Sequence, residues 1–180
     1  MRIISGKYKG RVLRTPDNFD LRPTTDLGKE SLFNILNNVW DFEGLTVLDL
    51  FAGTGAISIE FASRGAEMVT AVELHPRHSA FIEQSAALLG AQNIKTLKTD
   101  AMEFLTRCAG PYNIIFADPP YKFEGVDKIP DLIFSRNLLT ESGELILEHS
   151  EDFDFSYHPC YVQTRRYGAV HFSFFEKQAE

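Results

Sequence analysis

From Gly44 onward, short and nearly continuous apolar runs alternate with segments whose apolar residues fall at helical spacing. Residues 46–52, 68–74, 94–99, 112–117 and 143–149 are rich in β-branched and aromatic side chains and read as buried strands. Between them, residues 56–64 read as a helix stopped by Gly65, and Pro76 suits the first position of a helix that ends at Gly90. A short helix is expected over 101–108 and another over 126–137, where Pro130 marks a start or a kink. Residues 161–166 and 169–176 look like a closing antiparallel pair around Gly168. Repeated β-α units with apolar strands imply an α/β fold: a doubly wound, mostly parallel, seven-stranded sheet covered on both faces. Ligands of such sheets bind outside the carboxyl ends of the strands, where the strand order reverses.

The first forty residues follow a different pattern. Arg2-Ile3-Ile4-Ser5 and Arg11-Val12-Leu13-Arg14 flank a turn region from Gly6 to Gly10, which predicts a short β-hairpin. Residues 16–23 form a connector, and a helix is expected to start near Thr24, Thr25 or Asp26. Its apolar positions are Leu32, Ile35, Leu36 and Val39, joined by Phe33 and Trp40. The division expected is an N-terminal hairpin-and-helix extension over 1–42 and a main domain over 43–180.

Charge separates the same two parts. Residues 1–22 carry Arg2, Lys7, Lys9, Arg11, Arg14 and Arg22 against Asp17 and Asp20, a balance of +4 in a chain of net charge −7. The rest therefore stands at −11. A basic edge on an acidic body suits a protein that docks on phosphates through one side. The composition, 44% hydrophobic and 24% charged, argues against disorder. No apolar run is long enough to span a bilayer, and residues 1–6 lack the apolar core of a signal peptide. The two cysteines, Cys108 and Cys160, and the five scattered histidines make no metal-ligand spacing. A cytoplasmic protein without a metal is expected.

The candidate chemistry falls at the predicted strand ends. Asp49-Leu50-Phe51-Ala52-Gly53-Thr54-Gly55 closes the first strand and opens the next helix. Gly53 and Gly55 would let backbone approach a ligand closely. Ser58 stands where a dinucleotide fingerprint needs its third glycine, and an acid beside the turn suits a pyrophosphate poorly. It suits a cationic ligand with an amino group and a sulfonium, which favours S-adenosylmethionine over NAD. Glu73 ends the second strand, where a carboxylate can bind both hydroxyls of an adenosine ribose. Asp100 ends the third. It can accept from an adenine amine, or cap the following helix in a box with Glu103, or do both. Asp118-Pro119-Pro120-Tyr121 ends the fourth. The carboxylate and a nearby carbonyl can accept from an exocyclic amine, the prolines stiffen the turn, and the tyrosine can stack on a planar base.

Taken in order, the glycine loop, Glu73, Asp100 and Asp118-Pro119-Pro120-Tyr121 resemble the class I S-adenosylmethionine-dependent methyltransferases. The tetrapeptide resembles the signature of enzymes that methylate exocyclic amines of bases or glutamine amides. Arg2 to Arg11, Leu21-Arg22-Pro23-Thr24-Thr25-Asp26 and Glu30-Ser31-Leu32-Phe33-Asn34-Ile35-Leu36 are similar to the RsmD type of bacterial 16S ribosomal RNA guanine-N2 methyltransferase. That resemblance covers nearly the whole chain. It implies a Rossmann-like monomer that methylates one guanine of small-subunit ribosomal RNA, alone or in a subunit. It implies catalysis by Asp118, Pro119, Pro120 and Tyr121. It implies a cofactor site of Asp49, Phe51, Gly53, Gly55, Glu73, Leu74, Asp100 and Ala101, and RNA contacts by Arg2, Lys7, Lys9, Arg11 and Arg22. One position departs: Leu27 replaces an arginine usual in the family, while Lys29 keeps the second charge of that run. Other base or amide N-methyltransferases share the tetrapeptide. A non-catalytic RNA-binding factor on the same scaffold, and an NAD-dependent dehydrogenase, are the remaining readings.

Overall fold

In the computed structural model, which describes residues 1–19 and 26–178, the predicted alternation of strands and helices is present. In chain order the elements are α1 (Asp26–Leu36), β1 (Thr46–Leu50), α2 (Ala56–Ser63), β2 (Met68–Glu73), α3 (Pro76–Leu89), β3 (Ile94–Lys98), α4 (Ala101–Arg107), β4 (Tyr112–Ala117), α5 (Lys128–Ser135), β5 (Leu139–His149), β6 (Tyr161–Tyr167) and β7 (Val170–Glu176). The sheet order is β3-β2-β1-β4-β5-β7-β6. β1 to β5 run parallel, and β7 is antiparallel to both β5 and β6. This is the doubly wound, seven-stranded sheet expected from the sequence.

The near-continuous apolar strands have a direct cause. Leu48 and Leu50 of β1, with Ile115 and Ala117 of β4, face one layer, which holds Ala101, Leu105, Ile129 and Ile133 of α4 and α5. Their chain neighbours Val47, Ile114 and Phe116 face the other, with Leu32, Phe33 and Leu36 of α1 and Ile57 and Phe61 of α2. Successive side chains of a strand point to opposite faces, so helices on both faces demand an apolar residue at every position. The strand order reverses between β1 and β4, which pair in parallel register from Val47↔Ile114 to Leu50↔Ala117. The crevice at the carboxyl ends of this pair is where a ligand of such a sheet binds.

The end of α1, the start of β5 and the N-terminal hairpin differ most from the sequence-based expectation. α1 stops at Leu36, and tighter turns follow, Asn38 N–H to Ile35 O and Val39 N–H to Leu36 O. Val39 is therefore 66% exposed and not part of the helical stripe. Trp40 instead turns to the sheet, its Nε1 donating to Glu144 Oε2 at 3.2 Å. β5 begins at Leu139, four residues before Gly143, which lies inside the strand. A Cβ on Gly143 would stand 2.9 Å from Thr140 N and from Tyr112 O, a close approach that reads in sequence as a strand break. The pairing of β4 and β5 shifts register between Tyr112 and Ile114. The N-terminal hairpin is a single bridge, Arg2↔Val12, with Ile3 N–H bonded to Arg11 O and Leu13 N–H to Met1 O. Thr24 and Thr25, two of the three predicted helix caps, lie outside the described residues.

Candidate active site

The loop after β1 is built by backbone conformation before any side chain enters. Phe51 adopts φ 60° without being glycine, followed by Gly53 at 56° and Gly55 at 75°. A bulky residue in the left-handed region is rare and costs roughly 1–3 kcal/mol, and such residues cluster at functional sites. Ala52 N–H bonds to Val72 O at 2.9 Å and Gly55 N–H to Ala52 O at 2.7 Å, curling the loop across β2. A Cβ on Gly55 would meet Ile82 Cγ1 at 2.9 Å. Gly55 is thus required by its φ and by the packing of α2 on α3. Ligand access, the reason suggested by the motif, is not what this Cβ position governs.

Two carboxylates anchor this loop. Glu73 Oε2 accepts from Gly53 N–H and Oε1 from His75 N–H, each at 2.8 Å. A carboxylate has about four acceptor positions, so each oxygen retains one. His78 Nδ1 lies 3.5 Å from Glu73 Oε1, and its ring stacks with that of His75 at 4.3 Å between centroids. Burial pushes the His78 imidazole below the usual histidine range, against the pull of Glu73. Asp49 is 1% exposed, and its Oδ2 accepts from Ser58 N–H at 3.0 Å and Ser58 Oγ–H at 2.5 Å. Ser58, which reads in sequence only as a missing glycine, is the residue that holds Asp49. Burial raises the Asp49 carboxyl to about 7, offset in part by the Ser58 bonds and reinforced by the charges of Asp118 and Glu73. Acids at the ends of β1, β2 and β4 therefore sense one another. Such a crevice favours a bound cation, which is the charge of a sulfonium and of an α-amino group.

The third acid is engaged locally. Asp100 Oδ1 caps α4 by accepting from Glu103 N–H at 2.9 Å. The Glu103 carboxylate pairs with Arg107 at 2.9 Å. Leu74 is 63% exposed beside Glu73, and Ala101 is 4% exposed at the start of α4. The loop after β4 begins with a half-buried Asp118 and a buried Pro119, followed by an exposed Pro120 and a Tyr121 that is 84% exposed. Phe123 N–H closes the turn on Pro120 O at 2.8 Å. The Phe123 ring meets that of Phe51 edge to face at 5.1 Å, joining the loops after β1 and β4. Phe123 lies outside any motif, and its one sequence signal is an aromatic five residues after Asp118.

Among the N-terminal basic residues, Arg2, Lys7, Lys9, Arg11 and Arg14 are exposed, while Arg22 lies outside the described residues. Arg2 pairs with Glu30 at 3.2 Å, and Lys7 Nζ stands 5.4 Å over the Tyr8 ring. Lys29, which keeps the second charge of its run, points inward. It is 1% exposed, donates to Arg2 O at 2.5 Å and lies 3.7 Å from Glu60, so its ammonium faces inward and cannot reach a phosphate. Leu27, at the departing position, is 73% exposed.

Residues 1–176 match the family described as "Conserved hypothetical protein 95". The chain is 36% identical over 148 residues to ribosomal RNA small subunit methyltransferase D of Escherichia coli K12, covering 82% of this chain and 74% of that protein. The protein of the same description from Buchnera aphidicola subsp. Baizongia pistaciae is 31% identical over 148 residues, covering 82% and 75%. The solved structure of Escherichia coli yhhF superposes with a TM-score of 0.88 at 31% identity, covering 100% of this chain and 99% of that one.

Proposed function

From the premise that the chain belongs to the conserved hypothetical protein 95 family, the RsmD-like methyltransferases, we propose that it methylates the exocyclic N2 amine of one guanine in small-subunit ribosomal RNA. The observation that carries this reading is the gathering of Asp49, Glu73 and Asp118 at the carboxyl ends of three neighbouring strands, around the glycine loop. S-adenosylmethionine fits the charge of that crevice, and it would supply an activated methyl group on sulfonium. Glu73 would hold the ribose hydroxyls through its remaining acceptor positions. Asp100, whose cap engages one oxygen, would accept from the adenine amine, with Leu74, Ala101 and Phe51 against the ring. Asp49, ionised beside the cation, would orient its amino end.

The guanine N2 lone pair is delocalised into the ring, so the amine is a weak nucleophile. Bonds from its protons to Asp118 and to a carbonyl near Pro119 would draw the nitrogen toward tetrahedral geometry and free the pair. Alignment of the nitrogen with the methyl donor supplies most of the acceleration. Asp118 or water then takes the released proton. Tyr121, open to solvent, would stack on a base turned out of the RNA. The N-terminal extension over 1–42 would dock the RNA, with Arg2, Lys7, Lys9, Arg11 and Arg22 on phosphates, giving affinity and orientation without base readout. The relatives named as ribosomal RNA small subunit methyltransferases support the RNA substrate and the cytoplasmic setting. The choice of guanine N2 rests on the family resemblance.

Asp118→Ala separates the two halves of the site. The variant is expected to retain S-adenosylmethionine binding in calorimetry, weakened at most by the loss of one of the three charges, and to lose methyl transfer to unmodified small subunits. Full transfer activity would remove Asp118 from its role.

A further inference from the structure

We infer that Glu60, buried on α2, is the positioning residue that sets the basic hairpin at a fixed distance from the cofactor loop. The inference rests on the proposed phosphate-binding role of the hairpin.

The Glu60 carboxylate is fully buried and spends both oxygens on the hairpin side. Oε2 accepts from Ile4 N–H at 3.0 Å and Oε1 from Ser5 N–H at 3.0 Å and Arg64 Nε at 2.9 Å. Lys29, 3.7 Å from Oε2, donates on to the Arg2 carbonyl. One turn later Ser63 continues the grip. Its Oγ donates to Ser5 O at 2.6 Å and accepts from Tyr8 N–H at 3.0 Å, and its carbonyl accepts from Lys7 N–H at 2.6 Å. Gly6 crosses this point at φ 81°, where a Cβ would stand 1.9 Å from Ser63 O. The backbone is held at residues 2, 4, 5, 7 and 8, while Lys7, Lys9 and Arg11 project to solvent.

Attachment alone needs none of this. Ile3, Tyr8 and Leu13 already bury apolar surface against Ile59, Ala86, Leu89 and Ala91. An apolar patch holds loosely in register, and a buried carboxylate with two cations adds little net stability over well-packed apolar residues. The best-attested use of such a group is to fix register. The helix that carries Glu60 also begins the cofactor site, since Gly55 caps its other end. Its eight residues make a rod about 12 Å long. The hairpin touches the glycine loop as well, through Thr54 Oγ1 and Met1 Sδ at 3.8 Å. A phosphate bound by the hairpin is thereby placed at a set distance from the methyl donor.

The test uses the full chain and unmodified small ribosomal subunits. Lys7→Ala/Lys9→Ala/Arg11→Ala probes the underlying reading: weaker subunit binding with a shallower salt slope supports it, and unchanged binding overturns both it and the inference. Glu60→Gln and Ser63→Ala then probe positioning. Each is expected to keep the calorimetric affinity for S-adenosylmethionine, to raise the KM for subunits about ten-fold, and to flatten the salt slope. Added to the triple variant, each should cause little further rise, because the phosphate contacts are already gone. A purely structural Glu60 would lower the melting temperature and leave KM and salt slope at wild-type values, which overturns the inference. If Glu60→Gln does not fold, Ser63→Ala decides by the same readouts, since it loosens only residues 5–8.

Discussion

Asp49 illustrates how surroundings set the chemistry of one side chain. Its carboxyl, raised to about 7 chiefly by burial, takes up a proton on folding below that pH. The unfolded chain binds fewer protons between about pH 4 and 7, so stability of the free protein falls as pH rises through that window. Asp49→Asn keeps an acceptor for Ser58 and cannot ionise. It is expected to flatten the decline and to melt higher than wild type at pH 8, with the gain shrinking toward pH 4 in calorimetric scans. Glu144, likewise raised to about 7 by burial, preserves part of the slope in both proteins. The same substitution should weaken S-adenosylmethionine binding at pH 8, because the negative charge facing the cation is lost. A variant with the wild-type pH slope would refute the assignment. Asp49 and Glu73 are legible from the sequence because strand ends and glycines frame them. The direction of Lys29 is not, since a lysine in the first turn of a helix reads as a surface charge until Glu60, thirty-one positions away, is brought beside it.

Elements were legible where a single physical signal marks them. Gly65 and Gly90 end helices, Pro76 starts one, and unbroken apolar runs mark the strands buried on both faces. The errors arose where one residue carries two signals. Gly143 marks close approach inside β5 and not its start, and Val39 continues a helical spacing after α1 has ended. Gly55 is the sharpest element-level test, because both its φ of 75° and its contact with Ile82 forbid a side chain. Gly55→Ala is expected to destabilise the fold by about 1–3 kcal/mol in urea titration and to reduce S-adenosylmethionine affinity through the displaced loop. Removing both opposing γ carbons in Gly55→Ala/Ile82→Ala should cost less than the sum of the two single variants, because the clash is relieved while the backbone strain remains. Wild-type stability in the single variant would mean that α2 and α3 have room to part.

On the scale of the whole molecule, a basic edge is fastened to an acidic body through one buried helix. The net charge of −7 conceals the arrangement, and only its distribution along the chain makes it readable. Docking through Lys7, Lys9 and Arg11 predicts that subunit affinity falls steeply with salt, and that each charge removed lowers the slope by about one. An affinity independent of salt would place the RNA elsewhere. The α/β class and the placement of the glycine loop and the acids at strand ends follow from apolar periodicity and glycine positions, whereas the point where the strand order reverses is set by the pairing of β1 with β4. The base itself follows from neither, since Asp118-Pro119-Pro120-Tyr121 suits any exocyclic amine. The most direct measurement offers labelled S-adenosylmethionine to the protein with unmodified small subunits, naked ribosomal RNA and DNA in parallel, then digests the labelled product to nucleosides. The account predicts N2-methylguanine at one position of small-subunit ribosomal RNA. Label confined to DNA or protein would contradict it.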